Sequence, residues 1–466
     1  EIQFREIPNI PRYGERLEDI GMFKRKDLRK AENLKPTFRA IRNYLAANAI
    51  GITRDEVFAS QLINLIFCKI YDERFTKPDD TVKFRAGFNE SEEDIYNRIL
   101  TLFDRVKHQY NDVIEVSDSI LLDSRSVKYI VGELQLYSLK DSSRDAVGDA
   151  FEIFIGPSLK GAQGQFFTPR NVVNMVIRMI DPGIDERILD PACGSGGFLV
   201  ESLRYVWNKL EEKAADLGWP ESEIEAEKQR IAIKNLRGID KDSFLSKVAK
   251  AYLAILGDGR GGIHCENSLE SFRNWSAKTF EDIQPESFDV IVTNPPFGKK
   301  LSIDSTEILE LYDLGHRWNS VPGGVFEKGA LADKQPPQLL FIERCFQMLR
   351  PGGRMGIVLL ESIFGMPKYQ YVVNYIRLQA KINAIVTLPE DLFQPHTHAK
   401  CCVLICQKYK KNESYSSCDN YDIFMSDVKW CGHDSRGNIT YSYTSTGEKV
   451  VLDEIPLVAD RYLEMR

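Results

Sequence analysis

Residues 289–293 are predicted to form a buried parallel strand. Two consecutive prolines follow it closely in the stretch DVIVTNPPFGKK, residues 289–300. Proline cannot donate to a sheet ladder and fixes its own backbone angle, so Pro295 and Pro296 end the strand and hold the following residues in one shape. Asn294 offers a side-chain carbonyl, and the backbone carbonyl of Pro295 cannot swing away. Two hydrogen-bond acceptors therefore converge on one point, which suits an amino group that carries two N–H bonds.

The chemistry that this arrangement favours is activation of the exocyclic amine of a nucleobase. Such an amine is a poor nucleophile because its lone pair is delocalised into the ring, and accepting both of its protons frees that lone pair for attack. We expect Phe297 to stack on the base. A base inside a duplex must flip out to reach such a site, at a cost of roughly a few kcal/mol. The structural alternative is a proline turn that only closes a strand. The candidate catalytic residues are Asn294, Pro295, Pro296 and Phe297.

A second candidate site is the glycine-rich turn in ILDPACGSGGFL, residues 188–199. Its glycines allow backbone N–H groups to approach a ligand closely, and the start of the following helix favours anionic groups. A phosphate-binding P-loop needs a Gly-Lys-Ser/Thr ending and a dinucleotide fingerprint needs a third glycine in register, and this turn has neither. The remaining interpretation is a class I S-adenosylmethionine site with an acid at the strand end. The predicted cofactor contacts of this turn are Asp190, Ala192, Gly194, Ser195, Gly196, Gly197 and Phe198.

The next two predicted strands also end in polar residues. GIDKD places Asp240 at a strand end, where a carboxylate can bind both hydroxyls of a ribose, as it does in dinucleotide folds. A helix N-cap is an equally good interpretation of Asp240. After the third strand, HCENSLESF brings Asn267 and Ser268 to the same edge, and we expect Asn267 to pair with the adenine of the cofactor.

The segment HTHAKCC, residues 396–402, combines histidine and cysteine. Cys401, Cys402 and Cys406 lie in an apolar run without the C-x₂-C spacing of a metal site, so we expect core packing and no metal. Cys193, inside the glycine-rich turn, is expected to be a small filler because no histidine partner stands out.

The elements that must position these residues form a mostly parallel sheet. From about residue 185, short apolar strands alternate with amphipathic helices, which is typical of a parallel sheet with helices on both faces. Such sheets bind ligands beyond the carboxyl ends of their strands, and the candidate motifs fall at such ends. We assign the catalytic domain to residues 156–410.

The flanking regions have a different pattern. Residues 1–155 repeat apolar residues three and four positions apart with no convincing strand, which predicts a helical domain. Within it, KRKDLRK at residues 24–30 could touch phosphates, although a solvated helix face is the better interpretation. Residues 411–466 form a polar, tyrosine-rich extension of open role, in which DSRGN predicts a hairpin turn.

Composition is that of a globular protein. Hydrophobic residues make up 43% and charged residues 28%, and the net charge of −7 excludes a uniformly basic nucleic-acid coat. No apolar run approaches the roughly 20 residues that span a bilayer. Nine cysteines without paired spacing favour a reducing compartment, so we expect a soluble cytoplasmic protein. Because the chain begins at Glu1 without a methionine, we also expect that residues precede it in the natural protein.

Four motifs in order carry a resemblance to a known family. They are GQFFTPRNVV (164–173), DPACGSGGFL, TNPPFG and LRPGGRMGIVL (349–359). The set resembles the amino-group DNA methyltransferases whose binding motif precedes the cofactor loop, and among them the modification subunits of type I restriction-modification systems. The likeness spans roughly residues 35–440 and departs at Asn267, where the family usually has an aspartate.

This resemblance implies a class I S-adenosylmethionine-dependent methyltransferase with a Rossmann-like sheet that methylates N6 of adenine in DNA. It implies that the N-terminal helical domain helps to embrace the DNA, and that Phe167, Thr168 and Pro169 hold the methionine end of S-adenosylmethionine. It also implies a separate specificity subunit, a restriction subunit and two or more copies of this chain in one complex.

The motifs leave other functions open. Asn-Pro-Pro motifs also serve methylation of glutamine side chains and of RNA guanines, although the long helical leader and Phe297 favour DNA. The chain could also be a fragment of a self-sufficient restriction-modification enzyme. A non-catalytic scaffold would keep the fold alone, and the intact Asn-Pro-Pro-Phe motif argues against it.

Overall fold

The computed structural model describes residues 22–52, 54–87, 89–142, 168–257, 259–297, 301–322, 325–394, 397–415, 421–444 and 446–466. The chain divides into two compact units, one of Glu1–Leu159 with Ala254–Leu256 and one of Lys160–Leu253 with Gly257–Arg466. The domain boundary that the sequence predicts at residue 155 lies outside the described residues.

The first unit is mainly helical. Its helices are α1 (Lys35–Asn48), α2 (Asp55–Phe75), α3 (Glu92–Gln109) and α4 (Ser124–Leu134). Ser91 and Asp123 each accept a hydrogen bond from the N–H three residues later, and so cap α3 and α4. The predicted helical region is confirmed with one addition, a parallel pair of β1 (Arg29–Lys30) and β2 (Tyr137–Ser138). Two-residue strands are too short to leave an alternating pattern in the sequence.

Helix α2 buries polar side chains in pairs. Lys69 and Glu73 form an ion pair of 3.1 Å with only 1% of either side chain exposed. The neighbouring Asp72 carboxylate accepts the backbone N–H groups of Lys83 and Phe84 at 2.6 and 2.7 Å. Unpaired buried charges would destabilise the folded protein, and these contacts give each charge a partner. The contacts of Asp72 also tie the loop after α2 to the helix.

The second unit is organised by an eight-stranded sheet. Its strands are β3 (Ile188–Asp190), β4 (Leu236–Asp240), β5 (Ile263–Cys265), β6 (Phe288–Thr293), β9 (Leu349–Leu360), β10 (Ala380–Thr387), β11 (Cys401–Lys408) and β12 (Phe424–Asp427). They lie side by side in the order β12-β10-β11-β9-β6-β3-β4-β5. Only β11 runs antiparallel to its neighbours, β9 and β10. The predicted mostly parallel sheet is confirmed, and the C-terminal region contributes its edge strand β12, parallel to β10.

Two hairpins lie outside this sheet. Strand β7 (His316–Val321) pairs with β8 (Val325–Leu331), and β13 (Tyr441–Tyr443) pairs with β14 (Lys449–Val451). The turn predicted at DSRGN is present, since His433 and Ile439 form an antiparallel bridge across it.

Helices connect the strands of the second unit and pack against its sheet. They are α5 (Arg170–Ile180), α6 (Gly197–Leu217), α7 (Glu221–Lys234), α8 (Ser243–Gly257), α9 (Ala277–Asp282), α10 (Thr306–Leu309), α11 (Pro337–Met348), α12 (Ser362–Gly365), α13 (Gln370–Gln379) and α14 (Ile455–Met465). In the part of the chain that the structure describes, no helix combines the length and the apolar character that crossing a membrane requires.

Two glycines allow helices to lie directly on the sheet. A Cβ at Gly356 of β9 would come within 2.6 Å of Val176 on α5, so this helix packs against the middle of the sheet. A Cβ at Gly238 of β4 would come within 2.7 Å of the Leu199 side chain on α6 and 3.1 Å of Cys193. Cys193 is therefore the small, buried filler that the sequence predicts.

Candidate active site

A cleft opens at the carboxyl ends of β3, β4, β5 and β6. It measures about 980 Å³ including its open mouth. Its lining residues are Pro191, Ala192, Gly194, Asp240, Lys241, Leu245, Asn267, Ser268, Leu269, Asn294, Pro295, Pro296, Phe297, Leu301, Ile303, Pro337 and Phe341. The structure thus brings together four motifs, of which the first and the last lie about a hundred residues apart in the sequence.

The glycine-rich turn after β3 forms one wall of the cleft. Gly194 and Gly196 have φ angles of +52° and +88°, in the left-handed region that favours glycine. Ala192 and Gly194 line the cleft. A Cβ at Gly196 would instead lie 3.2 Å from Ala249 on α8, and Phe198 is buried in the core. Ser195, Gly196, Gly197 and Phe198 are thus not among the residues that line the cleft, and the contact at Gly196 is one of packing.

Asp190 lies beneath this turn. Its side chain is buried, and one carboxylate oxygen accepts the N–H of Ala192 at 3.0 Å. Burial is the main reason that the pKa of Asp190 rises from 3.8 to about 7, and the charge of Asp240 adds to the rise while the hydrogen bond from Ala192 opposes it. Asp190 does not line the cleft, so its visible role is to hold the turn in shape.

Asp240, at the end of β4, does line the cleft. Its two carboxylate oxygens accept the N–H of Asp242 and the N–H of Gly194, each at 2.9 Å. Burial raises the pKa of Asp240, and these two hydrogen bonds oppose that rise. The N-cap role belongs to Asp242, whose side chain accepts the N–H of Leu245 at 3.0 Å. The helix-cap interpretation of Asp240 is therefore replaced by a link between β4 and the glycine-rich turn.

The loop after β5 forms the third wall. Asn267 accepts the N–H of Leu269 and donates to the Glu270 carboxylate, both at 3.2 Å, so its side chain closes its own turn. Ser268 is buried, and its hydroxyl donates to the carbonyl of Pro191. This bond joins the loop to the glycine-rich turn.

Arg344 on α11 holds the same loop from behind. Its fully buried guanidinium donates to the carbonyl of Glu270 at 2.7 Å and to the Tyr312 hydroxyl at 2.8 Å. It also lies 4.2 Å from the centre of the Phe272 ring, and the Tyr312 hydroxyl donates to the Leu269 carbonyl at 2.8 Å. Sequence reasoning did not identify Arg344 or Tyr312, because nothing in the local sequence connects them to a loop more than 40 residues away.

The Asn-Pro-Pro-Phe segment after β6 forms the remaining wall. The Asn294 amide donates through Nδ2 to the hydroxyl of Thr168 at 2.9 Å. Its Oδ1 is buried and has no hydrogen-bond partner among the residues that the structure describes. Phe297 is 4% exposed, and its ring meets that of Phe393 edge to face at 5.7 Å between centres.

The three residues expected to hold the methionine end of a cofactor have different outcomes. Phe167 lies outside the described residues. Pro169 is the residue before α5 and does not line the cleft. The Thr168 hydroxyl accepts a hydrogen bond from Asn294, a residue of the cleft wall.

The cleft also has an apolar side that sequence reasoning missed. It consists of Leu245, Leu269, Leu301, Ile303, Pro337 and Phe341. Pro337 and Phe341 lie four positions apart on α11, so the helical period of PQLLF carried a signal that both face one way.

The cysteines of β11 are buried in the sheet. Cys402 and Cys406 pack in the same core cluster as Cys345, and burial raises the pKa of the Cys401 thiol to about 12. Within the described ranges, no group of three or more histidine, cysteine, aspartate or glutamate residues could hold a metal ion. Inert, buried thiols are what core packing requires.

Curated relatives of this chain include methylase subunits of type I restriction enzymes. The EcoEI methylase subunit of Escherichia coli is 24% identical over 71% of this chain and 63% of its own length. The MjaVII methylase subunit of Methanocaldococcus jannaschii is 27% identical over 76% of this chain and 56% of its own length. The chain therefore spans about three fifths of the length of these relatives.

Solved structures share the fold. A type I restriction-modification methyltransferase subunit from Streptococcus thermophilus aligns with a TM-score of 0.59 and 15% identity, covering 93% of either chain. A modification subunit assigned to a type I restriction enzyme of Vibrio vulnificus YJ016 aligns with a TM-score of 0.57 and 16% identity, covering 92% of this chain and 97% of its own. The fold of the chain is thus shared with these methyltransferase and modification subunits. The family model described as N-6 DNA methylase matches residues 142–438, and this chain belongs to that family.

Proposed function

We propose that this chain transfers a methyl group from S-adenosylmethionine to N6 of adenine in DNA, as the modification subunit of a type I restriction-modification system. The observation that carries the proposal is the Asn294 Oδ1 atom, a buried acceptor that no described residue satisfies. Buried polar atoms are nearly always hydrogen-bonded, so an unused acceptor in a cleft calls for a donor from a ligand. Membership of the N-6 DNA methylase family supports an amine as that donor.

The residues of the cleft fit the cofactor. Gly194 lines the cleft, and a Cβ placed on it would meet no atom within 4 Å, so the absence of a side chain keeps space open there. Asp240 uses one hydrogen bond on each carboxylate oxygen, and each oxygen can accept another. We assign the ribose hydroxyls to Asp240 and the remainder of the cofactor to Ala192, Gly194 and the loop of Asn267 and Ser268. The cofactor supplies an electrophilic methyl group on a sulfonium.

The side chains of the β6 end prepare the amine for attack. Asn294 Oδ1 and the fixed carbonyl of Pro295 accept the two N–H bonds of the adenine amine, which frees its lone pair. Phe297 presents an aromatic surface for the flipped base, and the edge contact with Phe393 braces its ring. The apolar residues Leu301, Ile303 and Phe341 exclude water from the same space.

We assign target recognition to partner subunits. The net charge of −7 makes strong unaided binding to duplex DNA unfavourable, because non-specific affinity depends on neutralisation of phosphates by lysine and arginine. The methylase subunits that this chain resembles belong by name to type I restriction enzymes. In this proposal the helical N-terminal domain contacts DNA or partners, a specificity subunit selects the site, and the complex holds two copies of this chain together with a restriction subunit.

The test is methylation by the purified chain mixed with its specificity subunit. We expect N6-methyladenine at one defined sequence, mapped at base resolution, and no site-specific product from the chain alone. In the host, deletion of the gene removes that mark, and the wild-type gene restores it while an Asn294→Ala gene does not. Methylation of a protein glutamine or of RNA in place of DNA would overturn the proposal.

A further inference from the structure

We infer that Thr168 is a positioning residue for the catalytic amide of Asn294. The inference rests on the proposed function, since it explains how the acceptor of that reaction is oriented. Thr168 lies 126 positions before Asn294 in the sequence, yet its hydroxyl accepts a hydrogen bond from Asn294 Nδ2 at 2.9 Å. Thr168 is not among the residues that line the cleft.

The contact matters because the two ends of an asparagine amide have nearly the same shape and opposite chemistry. Rotation of the amide by half a turn would exchange Nδ2, which can only donate, for Oδ1, which accepts. A donor at the position of Oδ1 would face the N–H bonds of the adenine amine and repel them. With Nδ2 bonded to Thr168, the oxygen is the end that has no partner among the described residues.

Thr168 itself is held by the start of α5. The carbonyl of Pro169 accepts the N–H groups of Val172 and Val173 at 3.0 and 3.1 Å, which fixes the chain immediately after Thr168. The helix then packs on the sheet at Gly356, where a side chain would collide with Val176. The Thr168 hydroxyl therefore lies two residues before a helix that is packed on the sheet, and such support is what an orienting group requires.

The C-terminal region clamps the first turn of the same helix. Asn171 donates through Nδ2 to the Asp453 carboxylate at 2.9 Å and to the Cys431 carbonyl at 3.3 Å. The other oxygen of Asp453 accepts the N–H of Ile455 at 3.0 Å, where α14 begins. Cys431 and Asp453 thus brace the helix that follows Thr168, which gives this part of the C-terminal extension a supporting role in the inferred positioning.

The experiment compares Thr168→Val with Thr168→Ser in the enzyme assembled with its specificity subunit. Valine keeps the size of threonine and removes the hydroxyl, and serine keeps the hydroxyl. We expect valine to lower kcat by up to about 100-fold, the effect of a misplaced catalytic group, and serine to stay within about threefold of wild type. The dissociation constant for S-adenosylmethionine, measured by calorimetry, should be unchanged in both variants.

A loss of cofactor affinity in Thr168→Val with kcat unchanged would overturn the inference and make Thr168 a cofactor ligand. Equal kcat and equal affinity in all three enzymes would overturn it as well. The clamp is tested by Asn171→Ala, for which we expect a smaller fall in kcat. Its control is Arg178→Gln, which removes the ion pair to Asp460 farther along α5 and should leave kcat unchanged.

Failure of the proposed function gives a different result from failure of this inference. If the assembled wild-type enzyme methylates no DNA, the proposed function is wrong. Crystal structures of the wild type and of Thr168→Val then decide the inference independently of activity. An Asn294 amide that keeps its position and partners without the Thr168 hydroxyl would overturn it, and an amide that rotates or moves would support it.

Discussion

The two sides of the cleft lie at the ends of neighbouring parallel strands and differ in how their polar groups are used. At the ends of β3 and β4, the carboxylates of Asp190 and Asp240 accept backbone N–H groups from Ala192, Gly194 and Asp242. At the end of β6, Asn294 has its Nδ2 bonded to Thr168 while its Oδ1 has no partner in the described part of the chain.

This difference indicates that the carboxylates at the ends of β3 and β4 support the binding site, while Asn294 at the end of β6 acts on the substrate. Hydrogen bonds within the β3 and β4 side give the glycine-rich turn one conformation before any ligand arrives, which lowers the ordering cost of binding. An unused buried acceptor has the opposite meaning, because it is destabilising until a ligand satisfies it. Interactions that are stronger in the transition state than in the ground state are those that accelerate a reaction, and an acceptor for the reacting amine can act in this way. The comparison therefore predicts rate effects at β6 and affinity effects at β4.

The largest effect on methyl transfer should come from Asn294→Ala. It removes one preorganised acceptor for the amine, which costs on the order of 100- to 1,000-fold in rate. Cofactor affinity, measured by calorimetry, should stay near the wild-type value because the side chain acts on the base and not on the sulfonium. The exposed Asn274 provides the control, and Asn274→Ala should have wild-type activity. A rate within threefold of wild type for Asn294→Ala would contradict the assignment.

Asp240→Ala should show the reverse pattern. The substitution removes the proposed ribose acceptors and also the bond to the Gly194 N–H, so we expect cofactor affinity to fall by roughly 10- to 150-fold. DNA binding by the assembled complex should be retained. Asp242→Asn is the matched control, since Asp242 caps α8 through Leu245 and does not line the cleft. Unchanged affinity of Asp240→Ala for S-adenosylmethionine would show that another wall of the cleft binds the ribose.

Arg344→Met should have a smaller effect, transmitted through the loop of Asn267 and Ser268. Methionine is neutral, so the substitution leaves no unpaired charge in the core. The Glu270 carbonyl and the Tyr312 hydroxyl each lose the hydrogen bond that Arg344 donates to them. We expect a loss of about 1 to 3 kcal/mol in stability by chemical denaturation, and cofactor affinity weakened by up to about tenfold. Arg350→Met removes an exposed ion pair to Asp289 and serves as the control. Equal stability in both variants would show that Arg344 does not hold the loop.

The sequence predicted the walls of the cleft better than the contacts that support them. The Asn-Pro-Pro-Phe segment, the glycine-rich turn and Asp240 could be found because each motif is local and each follows a strand of a parallel sheet. Arg344 and the link from Thr168 to Asn294 could not be derived from spacing, since they join residues 74 and 126 positions apart. Asp190 was expected in the site because it ends a strand, and the structure shows that the turn covers it.

Asp190→Asn should have the smallest effect on methyl transfer. It tests whether Asp190 only holds the glycine-rich turn or contacts the cofactor itself. Asparagine keeps an oxygen for the N–H of Ala192, so cofactor affinity should stay within about threefold of wild type.

A pKa of about 7 means that the folded protein holds the proton of the Asp190 carboxyl more tightly than the unfolded chain does. Wild-type stability should therefore fall, relative to the variant, as pH rises from about 4 to about 7, by at most about 1.4 kcal/mol for each pH unit. Denaturation curves at several pH values, recorded without cofactor, measure this difference. A variant that loses cofactor affinity by more than tenfold would place Asp190 in direct contact with the cofactor, and the two sides of the cleft would then be more alike than their hydrogen bonds indicate.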